Sequence, residues 1–254
     1  MENNNEEILN DTNYLKIVKI RPFSNAYNLK LKENDVILAL NGSYFHSNYE
    51  ELRKILDEND NEKTITILRD DIVFHVKTKS ALGVVCENID QDNLKGFEKI
   101  NLDDYFNEEE IFPQYEIFKN LYRKGIVLDI TPSILASFAP PLWMIYHRIW
   151  TLFAFTMIFF VTLFYVSPWL FFISWVLKSW YYGNNQVNVL RNYYRFLDYR
   201  LFAILSCKNE EEAQIKAREL DPKIDFDYSY LEPPVKEEDE DIETNSINNS
   251  SENS

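Results

Sequence analysis

The sequence predicts an α+β protein in two parts: a small β-barrel capped by a helix, and then an α-helical transmembrane hairpin. Two patterns lead to this fold class. Residues 14–87 contain short runs of alternating and β-branched apolar side chains, and residues 149–167 form an aromatic run without any charge. A third observation is the formal net charge of −15, which disfavours nucleic acid as a partner.

Composition divides the chain into six regions. They are a polar tail predicted to be disordered (1–13), the small barrel (14–87), an acidic connector with an amphipathic helix (88–133), the transmembrane hairpin (134–183), an interfacial helix with a small strand–helix flank (184–230), and a disordered acidic tail (231–254). The first 13 residues show no basic start and no apolar run, so they do not resemble a signal peptide.

The barrel elements are predicted one by one from local signals. The segment LKIVKI is a strand pattern, and VILAL is an apolar run that ends at the Asn41-Gly42 turn pair. Ser47 is a candidate cap for a helix over residues 48–57. TITIL and IVFHV flank an Arg-Asp-Asp turn and predict a hairpin, and LGVVC predicts a last short strand. These residues are expected to fold without the rest of the chain.

In this order the elements resemble a PDZ domain. The segment KENDVILALNG is similar to the family's Asp-Val-Ile…Asn-Gly block, and FSNAYNL stands where the family has a Pro-Ala…Gly-Leu turn. The family's carboxylate-binding loop normally precedes the first of these strands. Here the similar sequence, Ala81-Leu82-Gly83-Val84, follows the hairpin instead. That order resembles the circularly permuted PDZ domains of Golgi reassembly and stacking proteins.

The resemblance implies a peptide-binding groove. Backbone N–H groups of the loop would hold a carboxylate, the next strand would pair with the incoming peptide, and the 48–57 helix would form the other wall. The implied peptide-binding residues are Ala81, Leu82, Gly83, Val84, Val85, Cys86, Asn48, Leu52 and Leu56. Leu52 and Leu56 would line a pocket for the last side chain of the peptide. In the alternative interpretation they are ordinary core residues and the chain itself closes the groove.

The connector carries apolar residues at helical spacing between residues 108 and 123, which predicts an amphipathic helix that ends near Gly125. This helix is expected to pack on the PDZ-like domain or to lie on a membrane surface.

The hairpin is predicted from apolar length. IWTLFAFTMIFFVTLFYVS has 19 residues, about 28 Å of helix, which is close to the thickness of a bilayer core. After Pro168, the run WLFFISWVLKSWYY is interrupted only by Lys178. The predicted membrane-anchoring residues are Trp143, Trp150, Trp169, Trp175 and Trp180. The alternatives are a buried helical hairpin and a single span.

A second resemblance covers about residues 134–220. The segment FAPPLWMIYHRIW is similar to the opening block of a family of small, uncharacterised bacterial inner-membrane proteins. YRLFAIL followed by NEEEA is similar to that family's Tyr-Arg strand and acidic helix. The resemblance implies an integral membrane protein, and basic residues on both flanks predict cytoplasmic N- and C-terminal regions.

No HExxH, Gly-x-Ser-x-Gly or phosphate-loop motif is present, and the two cysteines are far apart in the sequence. We therefore expect a non-enzyme without cofactor or metal. The predicted function is a membrane-anchored adaptor that binds a peptide or a protein C-terminus, with membrane lipid as its other partner. The alternative is a structural or accessory subunit of a membrane complex, which would use the aromatic hairpin and have no peptide-binding activity.

Overall fold

The computed structural model describes residues 13–58, 61–90 and 112–234. Most of the two predicted tails and the first part of the connector lie outside these residues. The described chain has a mixed α/β fold with two sheets.

The first sheet contains six strands, all paired antiparallel, in the order β5-β4-β2-β1-β6 with β3 paired to β2. The strands are β1 (Asn13–Ile20), β2 (Val36–Leu40), β3 (Ser43–Tyr44), β4 (Lys63–Arg69), β5 (Ile72–Thr78) and β6 (Val84–Asp90). Two helices accompany them, α1 (Asn25–Asn28) and α2 (Tyr49–Asp57).

Local sequence explains the tight turns of this sheet. Asn41 and Gly42 both have positive φ, 50° and 78°, which suits the two-residue hairpin between β2 and β3. Asp70 has a φ of 55° at the β4–β5 turn, a left-handed conformation that Asp tolerates. Helix α2 begins one residue later than the sequence predicts, because Asn48 rather than Ser47 caps it: Asn48 Oδ1 accepts from the Glu51 N–H at 3.0 Å.

The second sheet has the order β10-β8-β7-β9, and only β10 and β8 pair parallel. Its strands are β7 (Gln114–Lys119), β8 (Lys124–Asp129), β9 (Arg200–Ser206) and β10 (Asp225–Phe226). The helices are α3 (Ile134–Phe138), α4 (Pro140–Tyr146), α5 (Trp150–Val166), α6 (Pro168–Phe196) and α7 (Glu210–Leu220).

The amphipathic helix predicted between residues 108 and 123 is wrong where the structure describes it, because Gln114–Lys119 form β7. Tyr115 and Ile117 face one core, whereas Phe118 packs with α6 on the other side of the sheet. The sequence of β7, QYEIFK, alternates polar and apolar residues up to Ile117, and Phe118 then breaks the alternation. Tyr115 and Phe118 are also three residues apart, a spacing that equally fits one face of a helix.

The predicted transmembrane hairpin is also wrong. In the parts of the chain that the structure describes, no helix combines the length and the apolar character needed to cross a membrane. Helix α5 has only 17 residues, since Ile149 and Ser167 lie outside it. Helix α6 is kinked at Asn185, which has a non-helical φ of −123°, and the part after the kink packs on the second sheet. The membrane localisation is corrected with it.

The two helices do form a hairpin, with antiparallel contacts such as the ring of Phe160 on those of Phe171 and Trp175. Trp143 does not lie at an interface: it is fully buried against Tyr182. Trp150, Trp169 and Trp180 are exposed, but the helices that carry them do not support the predicted membrane-anchoring role.

Candidate functional site

Strand β6 lies at the end of the first sheet and pairs with β1 alone among the described strands. Its other edge is therefore unpaired within this part of the chain, and an unpaired edge can accept a further strand. At the start of this edge, the Val84 N–H donates to the Tyr49 hydroxyl at 3.3 Å. Helix α2, which carries Tyr49, thus stands beside the outer edge of β6.

The loop before β6 is held to the rest of the chain through its carbonyl oxygens, and Leu82 has no exposed surface. The carbonyl oxygens of Leu82 and Gly83 accept from the N–H groups of Ala26 and Arg21. The N–H groups of Leu82 and Gly83 donate to no group among the described residues. Gly83 has a φ of +70°, and a Cβ there would come within 2.8 Å of Ser24 Cβ. Only glycine fits this turn without strain.

One carboxylate of the chain already reaches this loop. Asp57, the last residue of α2, accepts from the Ala81 N–H through Oδ1 at 3.1 Å. Arg53 Nε lies 3.6 Å from the other oxygen, Oδ2. A group of adjacent backbone N–H groups is suited to bind an anion. Here the bound anion is the side-chain carboxylate of Asp57.

The other residues implied by the PDZ resemblance lie in different environments. Leu52 and Leu56 have no exposed surface and pack in the core of the first sheet. Val85 is exposed on β6. Asn48 uses its side chain to cap α2. The loop, β6 and α2 are thus neighbours, but no open pocket reaches the two leucines.

Neither thiol is poised for chemistry. Burial raises the pKa of Cys86 to about 12 and that of Cys207 to about 12, so both stay protonated at neutral pH. Residues 13–58, 61–90 and 112–234 contain no group of three or more His, Cys, Asp or Glu side chains arranged to hold a metal.

Sequence reasoning missed a second group of polar side chains, on the far sheet. Asp129, Arg148 and Glu210 line one cavity there, although they are far apart in the sequence. No motif marks them, because three separate elements bring them together. No protein family and no curated protein matches the sequence.

Proposed function

We propose that this protein is a non-enzymatic adaptor that binds the C-terminal residues of a partner protein by adding them as a strand to β6. The observation that carries the proposal is the unpaired edge of β6 beside the N–H groups of the 81–84 loop. Main-chain hydrogen bonds supply the affinity in this binding mode. The strand order and the position of the loop after β5 support the resemblance to a permuted PDZ domain.

The partner carboxylate would replace the carboxylate of Asp57 at the Ala81 N–H. Gly83 would add its N–H group, and hydrogen bonds to a charged acceptor are stronger than neutral ones. The peptide backbone would likewise replace the Tyr49 hydroxyl at the Val84 N–H. In the free protein the site is thus closed by two of its own side chains, and each exchange replaces one hydrogen bond with another.

Side-chain selection would come from the surface of β6 and α2. The exposed Val85 and the half-buried ring of Tyr49 offer apolar contact to the peptide. Because Leu52 and Leu56 are fully buried, they would support this wall from behind rather than receive a side chain. We therefore expect weak preference for the terminal residue and strong dependence on the free carboxylate.

The test is selection of the full chain against a library of peptides displayed with free C-termini, followed by fluorescence anisotropy of the selected peptides with free and amidated ends. Amidation should weaken binding by about tenfold or more, which is the usual loss for one charge-assisted hydrogen bond. Gly83→Glu should abolish binding, because it places a side chain and a negative charge among the N–H groups.

A second variant covers the case in which Gly83→Glu fails to fold. Asp57→Ala removes the competing carboxylate and should tighten binding several-fold, whereas Glu58→Ala, one residue further on, should leave it unchanged. Peptide binding that is insensitive to amidation and to Asp57→Ala would contradict the proposal.

A further inference from the structure

A cavity of about 220 Å³ lies on the second sheet, between the end of β8, the end of α4, the start of α7 and the chain after β10. Its walls include the side chains of Asp129, Tyr146, Arg148, Glu210, Tyr228 and Tyr230. Pockets for drug-sized ligands usually measure about 300–1,000 Å³, so this one suits a smaller molecule. The cavity is separate from the β6 edge, so a ligand could bind in it whether or not β6 binds a peptide.

The charges that face the cavity are mostly negative. Asp129 and Glu210 contribute two carboxylates, and Arg148 contributes one positive charge. His147 also lines the cavity, but burial lowers its pKa to about 4 although Asp129 opposes the shift, so it is uncharged at neutral pH. Burial raises the pKa of Glu210; the charge of Arg148 opposes this shift, and the nearby Asp129 adds to it. A cation that enters would relieve this repulsion.

One cation of the protein itself, the guanidinium of Arg148, already lies in this cavity. The guanidinium carbon of Arg148 lies 4.1 Å from the centre of the Tyr228 ring, a cation–π geometry. Its Nη1 is 3.9 Å from Glu210 Oε1, beyond hydrogen-bond distance. Arg148 reaches this position from a left-handed backbone, with a φ of +58°. The Glu210 carboxylate therefore has a cation nearby but no charge-assisted hydrogen bond to it.

We propose that this cavity binds a small organic cation through an ammonium group, with Glu210 and Asp129 as its counter-ions and the rings of Tyr146, Tyr228 and Tyr230 as its walls. Carboxylates beside aromatic faces are the usual chemistry of ammonium recognition. An anion would meet two carboxylates and only one guanidinium. The ligand competes with Arg148 for the face of Tyr228 and for Glu210, so Arg148 acts as an internal competitor.

The experiment is a titration of the full chain with tetramethylammonium chloride, followed by NMR of the histidine rings at neutral pH. Only three histidines are present, and His147→Gln assigns the signal that lines the cavity. We expect a saturable shift of the His147 signal, while the signals of His46 and His75 stay in place. Sodium chloride and sodium acetate at equal ionic strength should give no saturable shift.

Variants separate a cation site from an anion site. Glu210→Gln should weaken tetramethylammonium binding by about tenfold, the loss expected when a charged partner is removed. Glu219→Gln, an exposed carboxylate on the same helix, is the matched control and should change nothing. Arg148→Gln should tighten binding several-fold, because it removes the internal competitor. Glutamine carries a Cβ as arginine does, so the strain of the positive φ at residue 148 is unchanged.

Three results would overturn the proposal. The first is the absence of a saturable shift with tetramethylammonium, and the second is an equal shift with sodium. The third is saturable binding of acetate that Arg148→Gln abolishes, since this would make the cavity an anion site.

Discussion

At the scale of single residues, a buried ion pair holds the first sheet together. Asp35 and Arg69 are both less than one-tenth exposed, and their two hydrogen bonds measure 2.7 and 2.8 Å. Arg69 also donates to the Lys30 carbonyl at 3.0 Å, and Asp35 accepts from the Lys32 N–H at 2.7 Å. These contacts fix the chain that leads into β2 against the end of β4.

Removing one partner should therefore cost more than the pair itself contributes. We expect Arg69→Met to lower the free energy of unfolding by about 3–5 kcal/mol, because it leaves a buried carboxylate without its charge partner. The double variant Asp35→Leu/Arg69→Met should be more stable than Arg69→Met alone. Urea denaturation measures both, and a loss below about 1 kcal/mol, typical of an exposed pair, would contradict this interpretation.

A second residue-scale prediction concerns pH. Burial, with a smaller effect of the Lys216 charge, lowers the pKa of His75 to about 4 from its ordinary value of 6.5. Between these values the unfolded chain binds a proton that the folded chain does not, so the free energy of unfolding falls as the pH is lowered from about 6.5 to 4. Above about pH 6.5 this contribution is constant.

The loss from His75 should reach up to about 3 kcal/mol at pH 4. His75→Gln removes the titrating ring, so its unfolding free energy should fall less steeply over the same range. Urea denaturation at a series of pH values checks this. An equal slope in the two proteins would show that His75 does not titrate with folding.

At the scale of elements, α3 approaches α6 closely at a glycine. A Cβ on Gly183 would lie 3.0 Å from Ser137 Cβ and 3.3 Å from Ser137 Cα, which is too close for an ordinary contact. The same part of α6 carries Tyr182, which packs on Trp143 of α4. The absence of a side chain at residue 183 thus lets three helices meet.

Gly183→Leu should force α3 away from α6 and lower the free energy of unfolding by about 1–3 kcal/mol, the usual cost of overpacking. Leucine favours helices more than glycine does, by up to about 1 kcal/mol, so a loss would arise from packing alone. Adding Ser137→Gly should recover part of the stability, and thermal unfolding of the three proteins measures the difference. A stabilised Gly183→Leu would contradict the close approach.

At the scale of the whole molecule, the two sheets share one core. Tyr115 and Ile117 of β7 and Ala213 of α7 belong to the same buried cluster as Leu52 and Ile65 of the first sheet. Strand β5 lies against β9 and α7. Independent folding of residues 14–87, which the sequence predicts, would expose the apolar surface that β9 and α7 cover.

A fragment of residues 1–90 should therefore unfold at lower urea concentration than the full chain and bind a hydrophobic dye. It should also restore the pKa of His75 toward its ordinary range, because the surrounding apolar groups and Lys216 are removed. Histidine NMR of fragment and full chain measures this shift. An unchanged, low pKa in the fragment would mean that the first sheet alone buries the ring.

Elements with local signals follow from the amino-acid sequence alone. The Asn41-Gly42 pair, the β4–β5 turn and the strand patterns of the first sheet depend on neighbours within a few residues, so they can be predicted without the fold. The strand at residues 114–119 is decided by tertiary packing, because its short alternation, QYEI, overlaps with apolar residues at helical spacing and the sequence fits either element. Pro168 marks the end of α5 in the sequence, whereas the packing of the second half of α6 on the second sheet cannot be read from its apolar run. The cavity of Asp129, Arg148 and Glu210 is formed by elements that are distant in the sequence, so no local sequence pattern predicts it.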